Sequence, residues 1–150
     1  MNEKVEITPM KLKHLDEIMA IERELFSSQW PRSIFRSELT ENPYAHYYII
    51  KFNEKIVGYA GIWLMKEGAQ VTNIAISSKY QGKKLGKKLF SFIFQKAISA
   101  GCENLSLEVR KSNMIAQNMY RQFGLVPAGI RREYYTDNRE DAIVMWVNFT

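Results

Sequence analysis

The sequence predicts an α/β domain on a mixed, mostly antiparallel central sheet of about seven strands flanked by helices. Two observations carry that reading. From Tyr44 the composition turns β-branched and aromatic, and Tyr47 to Phe52 and Ile56 to Met65 are separated only by Asn53-Glu54-Lys55, a hairpin signal. Beyond Val71 to Ser77, strand-like runs alternate with runs of helical periodicity, so antiparallel strands come first and strand–helix–strand units later.

Each element has its own signal. Val5 to Thr8 is a short strand ended by Pro9. Leu12 to Phe26 places Leu15, Ile18, Ile21 (or Met19) and Leu25 on one helical stripe. Pro31 suits the first turn of a second helix, through about Leu39, with Ile34, Phe35 and Leu39 inward. After the hairpin and a turn marked by Gly68, Val71 to Ser77 is the fourth strand. Leu85 to Ser99 is a long helix with Leu85, Leu89, Phe92 or Ile93, and Ala97 inward, closed by Gly101. Asn104 to Val109 reads as a fifth strand and Asn113 to Phe123 as a helix ended by Gly124. Two strands, about Ile130 to Tyr135 and Ala142 to Phe149, turn at Asp137 and Asn138. No repeat, low-complexity tract or linker interrupts residues 1–150, which are expected to form one domain.

Composition narrows the function. Cys102 is the sole cysteine, so no disulfide forms within the chain, and a reducing cytoplasm is expected. Met1 to Met10 is mixed and polar, and no run reaches the roughly 18 apolar residues of a membrane span, so neither a signal peptide nor membrane association is expected. His14 and His46 lack metal-ligand spacing, and no metal is expected. The formal net charge of +5 is local in origin: Lys79, Lys83, Lys84, Lys87 and Lys88 crowd one segment. Such a patch suits a compact phosphorylated ligand better than a long duplex, and no stable nucleic-acid binding is expected; a merely solvated helix face is the alternative.

That segment begins with Asn73-Ile74-Ala75-Ile76 and continues through Lys79-Tyr80-Gln81-Gly82-Lys83-Lys84-Leu85-Gly86-Lys87-Lys88. A strand enters a glycine-containing turn that opens a basic helix. Helix starts present unpaired N–H groups and the positive end of the dipole, the requirements of a diphosphate site. Neither Gly-x-x-x-x-Gly-Lys-Ser/Thr nor a first-strand Gly-x-Gly-x-x-Gly occurs. Gly82 and Gly86 as simple helix-cap glycines remain the alternative.

The segment resembles the acetyl-CoA-binding motif of the GNAT superfamily of N-acetyltransferases, Gln/Arg-x-x-Gly-x-Gly/Ala after the fourth strand. Gln81 and Gly86 match its ends, and Lys84 stands where the middle glycine is usual. The resemblance implies a GNAT fold and acetyl-CoA as cosubstrate, held by Ile74, Ala75 and Ile76, by Gln81, Gly82, Lys83, Lys84, Leu85, Gly86 and Lys87, and by Asn113. Lys84 there either avoids positive φ or accepts a strain of roughly 1 kcal/mol.

A second stretch, Leu107-Glu108-Val109-Arg110-Lys111-Ser112-Asn113 through Tyr120 and Gly124-Leu125, resembles the strand–Asn–helix–Tyr–x–x–x–Gly–Phe segment of the same superfamily, with Leu125 for phenylalanine. With Arg131-Arg132-Glu133-Tyr134-Tyr135 and Arg139 to Met145, it is similar to the bacterial ribosomal-protein-alanine type. Ile21-Glu22, Phe26 and Trp30 agree, although Trp30-Pro31 inverts the usual Pro-Trp order. The resemblance implies Glu108 as general base and Tyr120 as general acid. From the residues alone, an exposed strand carboxylate, a half-buried helix aromatic and a simple Asn113 helix cap stay open. Trp30, Tyr134 and Tyr135 are candidate walls of an acceptor groove, the two tyrosines alternating across a strand. Glu108, Glu133, Asp137, Glu140 and Asp141 should make that side acidic.

An α-amine, with a pKa near 8, is roughly a tenth neutral at pH 7, whereas a lysine near 10.4 is neutral well under about 0.1% of the time. That chemistry fits what the resemblance implies: acetylation of a protein N-terminus, the alanine of a small-subunit ribosomal protein, by a monomeric enzyme. A lysine or small-amine acetyltransferase and a noncatalytic CoA-binding module contacting ribosomal RNA are the competing readings.

Overall fold

The computed structural model describes residues 3–150. Its elements run β1 (Val5–Pro9), α1 (Leu15–Leu25), α2 (Arg32–Thr40), β2 (Ala45–Phe52), β3 (Lys55–Met65), β4 (Gly68–Ile76), α3 (Leu85–Ser99), β5 (Asn104–Arg110), α4 (Met114–Gln122), β6 (Val126–Arg131) and β7 (Ala142–Asn148). The strands form one sheet in the order β1-β2-β3-β4-β5-β7-β6, and every pairing is antiparallel except β4 with β5. The expected mixed, mostly antiparallel sheet of seven strands is present.

Each face of the sheet carries its own core. Leu15, Ile18 and Ile21 of α1 and Phe35 of α2 pack with Tyr47, Ile49, Tyr59 and Ala75 on one face. Leu85, Leu89, Phe90 and Ile93 of α3 and Tyr120 of α4 pack with Val57, Leu105, Leu107 and Val109 on the other. Phe35 is fully buried and meets Tyr47 and Tyr59 edge-on; burial of such a ring contributes about 1.5–3 kcal/mol. Ile34, expected inward, is exposed.

Two irregularities in the sheet make room for a site. Between β3 and β4 the register slips, pairing Gly61 with Asn73 but Ile62 with Val71, so Thr72 is an extra, bulged residue. Between β4 and β5 the pairing covers only Ala69 with Leu105 and Gln70 with Ser106. Beyond that point the two parallel strands part.

The last hairpin corrects the sequence reading. The strand expected at Ile130 to Tyr135 lies at Val126–Arg131, and Tyr134 and Tyr135 belong to the loop that follows it. Pro127 and Gly129 read as strand breakers, yet β6 is an edge strand paired only with β7, and the register shifts between them. An edge strand spares proline a ladder bond and accommodates a bulge. The α1 signal also starts early: Leu12–His14 is a single 3₁₀ turn before the α-helix begins at Leu15. The fourth strand begins at Gly68 itself, after a turn at Lys66 and Glu67.

Candidate active site

The parting of β4 and β5 opens a cavity of about 420 Å³. Val71 to Ile74 line one side and Leu107 to Arg110 the other, with Asn113 and Tyr120 from the α4 segment, Glu22 and Trp30 from the α1–α2 region, and Tyr134 to Asp137 from the β6–β7 loop. Leu107 and Val109 turn into the α3–α4 core, so Glu108 and Arg110, by strand alternation, face the α1–α2 side. Tyr120 lies on the opposite side, against Phe90. The cavity therefore passes through the sheet, with Glu108 and Tyr120 approaching it from opposite faces.

Tyr120 is only 5% exposed, and its hydroxyl has no hydrogen-bond partner among the described residues. Burial, with Tyr135 adding to it, pushes its pKa up, so the phenol holds its proton at neutral pH. The Glu108 side chain is 13% exposed; Oε1 accepts from Arg131 Nε at 3.0 Å, and Oε2 has no partner.

At one end of β4 the chain makes a short 3₁₀ turn at Ser78–Tyr80 and passes through Gly82 (φ 80°) and Lys84 (φ 64°) into α3. Lys84 thus adopts the left-handed conformation that glycine supplies without strain, a cost of roughly 1 kcal/mol for lysine. Gln81 anchors this turn by donating from Nε2 to Ile76 O at 2.8 Å. The N–H groups of Gly82 through Lys87 have no acceptor among the described residues. Lys83, Lys84 and Lys87 flank them on the exposed surface, while the Leu85 side chain is buried and can offer only its amide. Asn113 caps α4, its Oδ1 accepting from Ala116 N at 3.1 Å.

The side expected to take the acceptor is less acidic than the sequence suggested, because arginines pair with its carboxylates. Asp137 and Glu140 both pair with Arg110 (2.8 and 3.2 Å), Glu108 with Arg131, and Asp141 with Arg132 at 3.8 Å. Arg110 also stacks 4.0 Å over the Tyr135 ring, and burial pushes that tyrosine up to about 12. Ser27 donates to Asp137 Oδ2 at 2.9 Å and Ser28 bonds Thr136 at 3.0 Å, tying the α1–α2 loop to the β6–β7 loop. Hydrogen bonds from Ser27 and Arg110 hold Asp137 below the usual carboxylate range, and those from Ser112 and Arg110 do the same for Glu140. Trp30 packs on Phe35 at 5.3 Å and donates its backbone N–H to Glu22 Oε2 at 2.9 Å. Glu22 is buried and also accepts from the Tyr59 hydroxyl.

Every residue expected to serve catalysis or the acceptor groove lines the one cavity, whereas the turn from Gln81 to Lys87 lies outside its lining, at the start of α3. Sequence reasoning missed Thr72, Asn73 and Arg110 as cavity residues. No local motif announces them, since the bulge and the ion pairs exist only in the folded chain.

The sequence profile of the acetyltransferase (GNAT) family matches residues 15–125. This chain belongs to the GNAT acetyltransferase family. A Bacillus subtilis relative named, provisionally, as a ribosomal protein bS18-alanine N-acetyltransferase is 46% identical over 98% of this chain and 97% of its own. The Escherichia coli K12 ribosomal protein bS18-alanine N-acetyltransferase is 33% identical over 93% and 94%. The crystal structure of the Escherichia coli ribosomal-protein-S18-alanine N-acetyltransferase superposes with a TM-score of 0.89 at 30% identity, covering 98% and 95% of the two chains. The chain is thus a GNAT acetyltransferase similar to the ribosomal-protein-alanine enzymes, with the mixed sheet of that family.

Proposed function

We propose that this chain, residues 1–150 acting as one domain in the cytoplasm, transfers the acetyl group of acetyl-CoA to the N-terminal alanine of a small-subunit ribosomal protein. The observation that carries the reading is the cavity through the sheet, with Glu108 and Tyr120 on its opposite faces. A bisubstrate reaction needs two approaches to one point, and this cavity offers them.

The residues present fit acetyl-CoA. Unpaired amides from Gly82 to Lys87, at the positive end of a helix and among lysines, suit a diphosphate. The β5-facing edge of β4 is unpaired beyond Gln70, which leaves backbone groups free along the way into the sheet. When bound, the cosubstrate supplies a thioester carbonyl as the electrophile. β4 amides polarise that carbonyl, and Glu108 accepts the proton lost by the amine, directly or through one water. Tyr120, kept protonated by burial, donates to the departing thiolate.

The acceptor side rests on Trp30, Tyr134 and Tyr135, whose positions around the cavity support a role as groove walls. The names of the Bacillus subtilis and Escherichia coli relatives support alanine of bS18 as the acceptor. With its carboxylates already paired to arginine, the groove recognises the chain end by shape and hydrogen bonding more than by open negative charge.

Two peptides of one sequence test the reading, one with a free N-terminal alanine and one capped but carrying an internal lysine. The free terminus is expected to be acetylated faster. Faster acetylation of the capped peptide would replace the α-amine assignment with a lysine one.

A further inference from the structure

Among the described residues, one buried side-chain polar atom lacks a hydrogen-bond partner: the nitrogen of the Asn73 amide. Asn73 follows the bulge on β4 and lines the cavity. Ala75 packs in the α1–α2 core while Ile74 and Ile76 pack toward α3, so alternation sets Asn73 on the α1–α2 side, as it does Glu108.

A chain of hydrogen bonds ends at this amide. Glu38 Oε1 accepts from Trp63 Nε1 at 2.7 Å and from the Tyr47 hydroxyl at 2.9 Å. The Tyr47 oxygen lies 2.9 Å from Thr72 Oγ1, which lies 3.3 Å from Asn73 Oδ1. Gly61 makes the chain possible, because a Cβ there would collide with the Tyr47 ring and the Thr72 hydroxyl.

Counting protons fixes its direction. Tyr47 has one proton, and the charge-assisted bond to the Glu38 carboxylate takes it; sending it to Thr72 would leave two bare oxygens 2.9 Å apart. Thr72 must then give its own proton to the Tyr47 oxygen and has none left for Asn73. The bond at 3.3 Å is completed only when the Asn73 amide supplies the proton, which places its nitrogen on Thr72 and its oxygen at the unpartnered position.

We propose that Asn73 presents this carbonyl oxygen to the cavity and accepts an N–H of the acceptor amine, with Glu38, Tyr47 and Thr72 as the positioning residues that set its orientation. The inference rests on reading the cavity as the acceptor site. In the reaction the amine nitrogen bonds to the thioester carbon and the carbon–sulfur bond breaks. Glu108 receives the proton lost from nitrogen, and Tyr120 protonates the sulfur. Asn73 holds the remaining N–H and so turns the lone pair toward the carbonyl. An unpaired buried polar atom costs about 1–3 kcal/mol, which the seated amine offsets.

Neutron diffraction from crystals of the full chain, exchanged into deuterated buffer, reads the amide directly. The expected map has the Asn73 ND₂ group on Thr72 Oγ1; a map with ND₂ at the unpartnered position overturns the proposal whatever the acceptor proves to be. Kinetics supply the second arm, using the free-alanine and capped-lysine peptides and reading whichever amine the wild type acetylates. Asn73→Leu should lower kcat/KM for that peptide about tenfold and leave acetyl-CoA affinity unchanged by calorimetry. Tyr47→Phe frees the Thr72 proton to reverse the amide. It should therefore lower kcat/KM in the parent but add nothing in the Asn73→Leu background. Activity of Asn73→Leu within twofold of the wild type, or additive effects in that cycle, would overturn the proposal. Preference for the lysine peptide alone would instead contradict the α-amine reading and leave the Asn73 assignment to be decided by the map and the variants.

Discussion

The two walls of the cavity are built on different plans. The β4–α3 wall belongs to one continuous segment, of which Val71 to Ile74 line the cavity with the free edge of a strand, while the turn outside it, Gln81 to Lys87, adds free amides and the start of a helix. The opposite wall is assembled from side chains of distant segments. Ser27, Glu108, Arg110, Asp137 and Glu140 meet only because β5 and β7 pair and the β6–β7 loop folds back over them. A site made of backbone tolerates side-chain change and fails when its path is blocked. One made of ion pairs fails when a single partner goes.

The largest effects should come where both walls meet. Glu108→Gln and Tyr120→Phe are each expected to lower kcat by about 10² to 10⁴-fold with acetyl-CoA affinity nearly intact, as measured by steady-state kinetics and calorimetry. Their stability should barely move. The Tyr120 hydroxyl has no protein partner to lose, and the Glu108–Arg131 pair is an exposed-arginine contact worth at most about 1 kcal/mol. Wild-type turnover in both variants at saturating substrate would leave only positional catalysis.

Next in size is a block on the backbone wall. Gly86→Glu is expected to weaken acetyl-CoA binding about tenfold or more by calorimetry. A Cβ there meets only Ile76 at 3.8 Å, so the loss arises from negative charge beside the amides and not from misfolding.

On the side-chain wall, Arg110→Gln should raise the acceptor-peptide KM about tenfold while acetyl-CoA affinity holds, because the β6–β7 loop loses its anchor to Asp137 and Glu140. The same pairs have a pH signature. Both carboxyls are lowered in the fold, so their contribution is full above the ordinary carboxylate range near 4 and is lost as pH falls through the lowered values. Thermal melts from pH 5 downward should thus decline more steeply for the wild type than for Asp137→Asn/Glu140→Gln.

The smallest effect tests the strained turn. Lys84→Gly should relieve a left-handed lysine and gain up to about 1 kcal/mol in denaturant unfolding, offset in part by the greater freedom of glycine in the unfolded chain. Unchanged or tighter acetyl-CoA binding would assign Lys84 a conformational cost alone. Weaker binding would show that its side chain serves the diphosphate.

The contrast between the walls also explains what could be read from the sequence. The limits of α3, Leu85–Ser99, and the hairpin at Asn53 and Glu54 follow from periodicity and turn chemistry, which are local. The glycine-bearing turn from Gln81 to Lys87 into α3 was legible for the same reason, being a single run of residues. Tyr134 and Tyr135 were legible as candidates but not as loop residues, since Pro127 and Gly129 hide an edge strand whose only partner lies beyond the turn. Asn73 and Arg110 could not be read at all: one depends on a bulge opposite Gly61, the other on carboxylates 27 and 30 positions away. The acidic count on the acceptor side misled for the same reason, because charge in sequence says nothing of which arginine will neutralise it.

The measurement that tests the account most directly is a crystal structure with a bisubstrate analogue, CoA joined through its sulfur to the nitrogen of an alanine-initiated peptide. The diphosphate is expected on the amides of Gly82 to Lys87, the thiol arm between β4 and β5 on the Tyr120 side, and the alanine nitrogen beside Glu108 and Asn73 beneath the Ser27–Asp137 contact. An analogue bound outside the parting of β4 and β5, or with both arms on one face of the sheet, would contradict it.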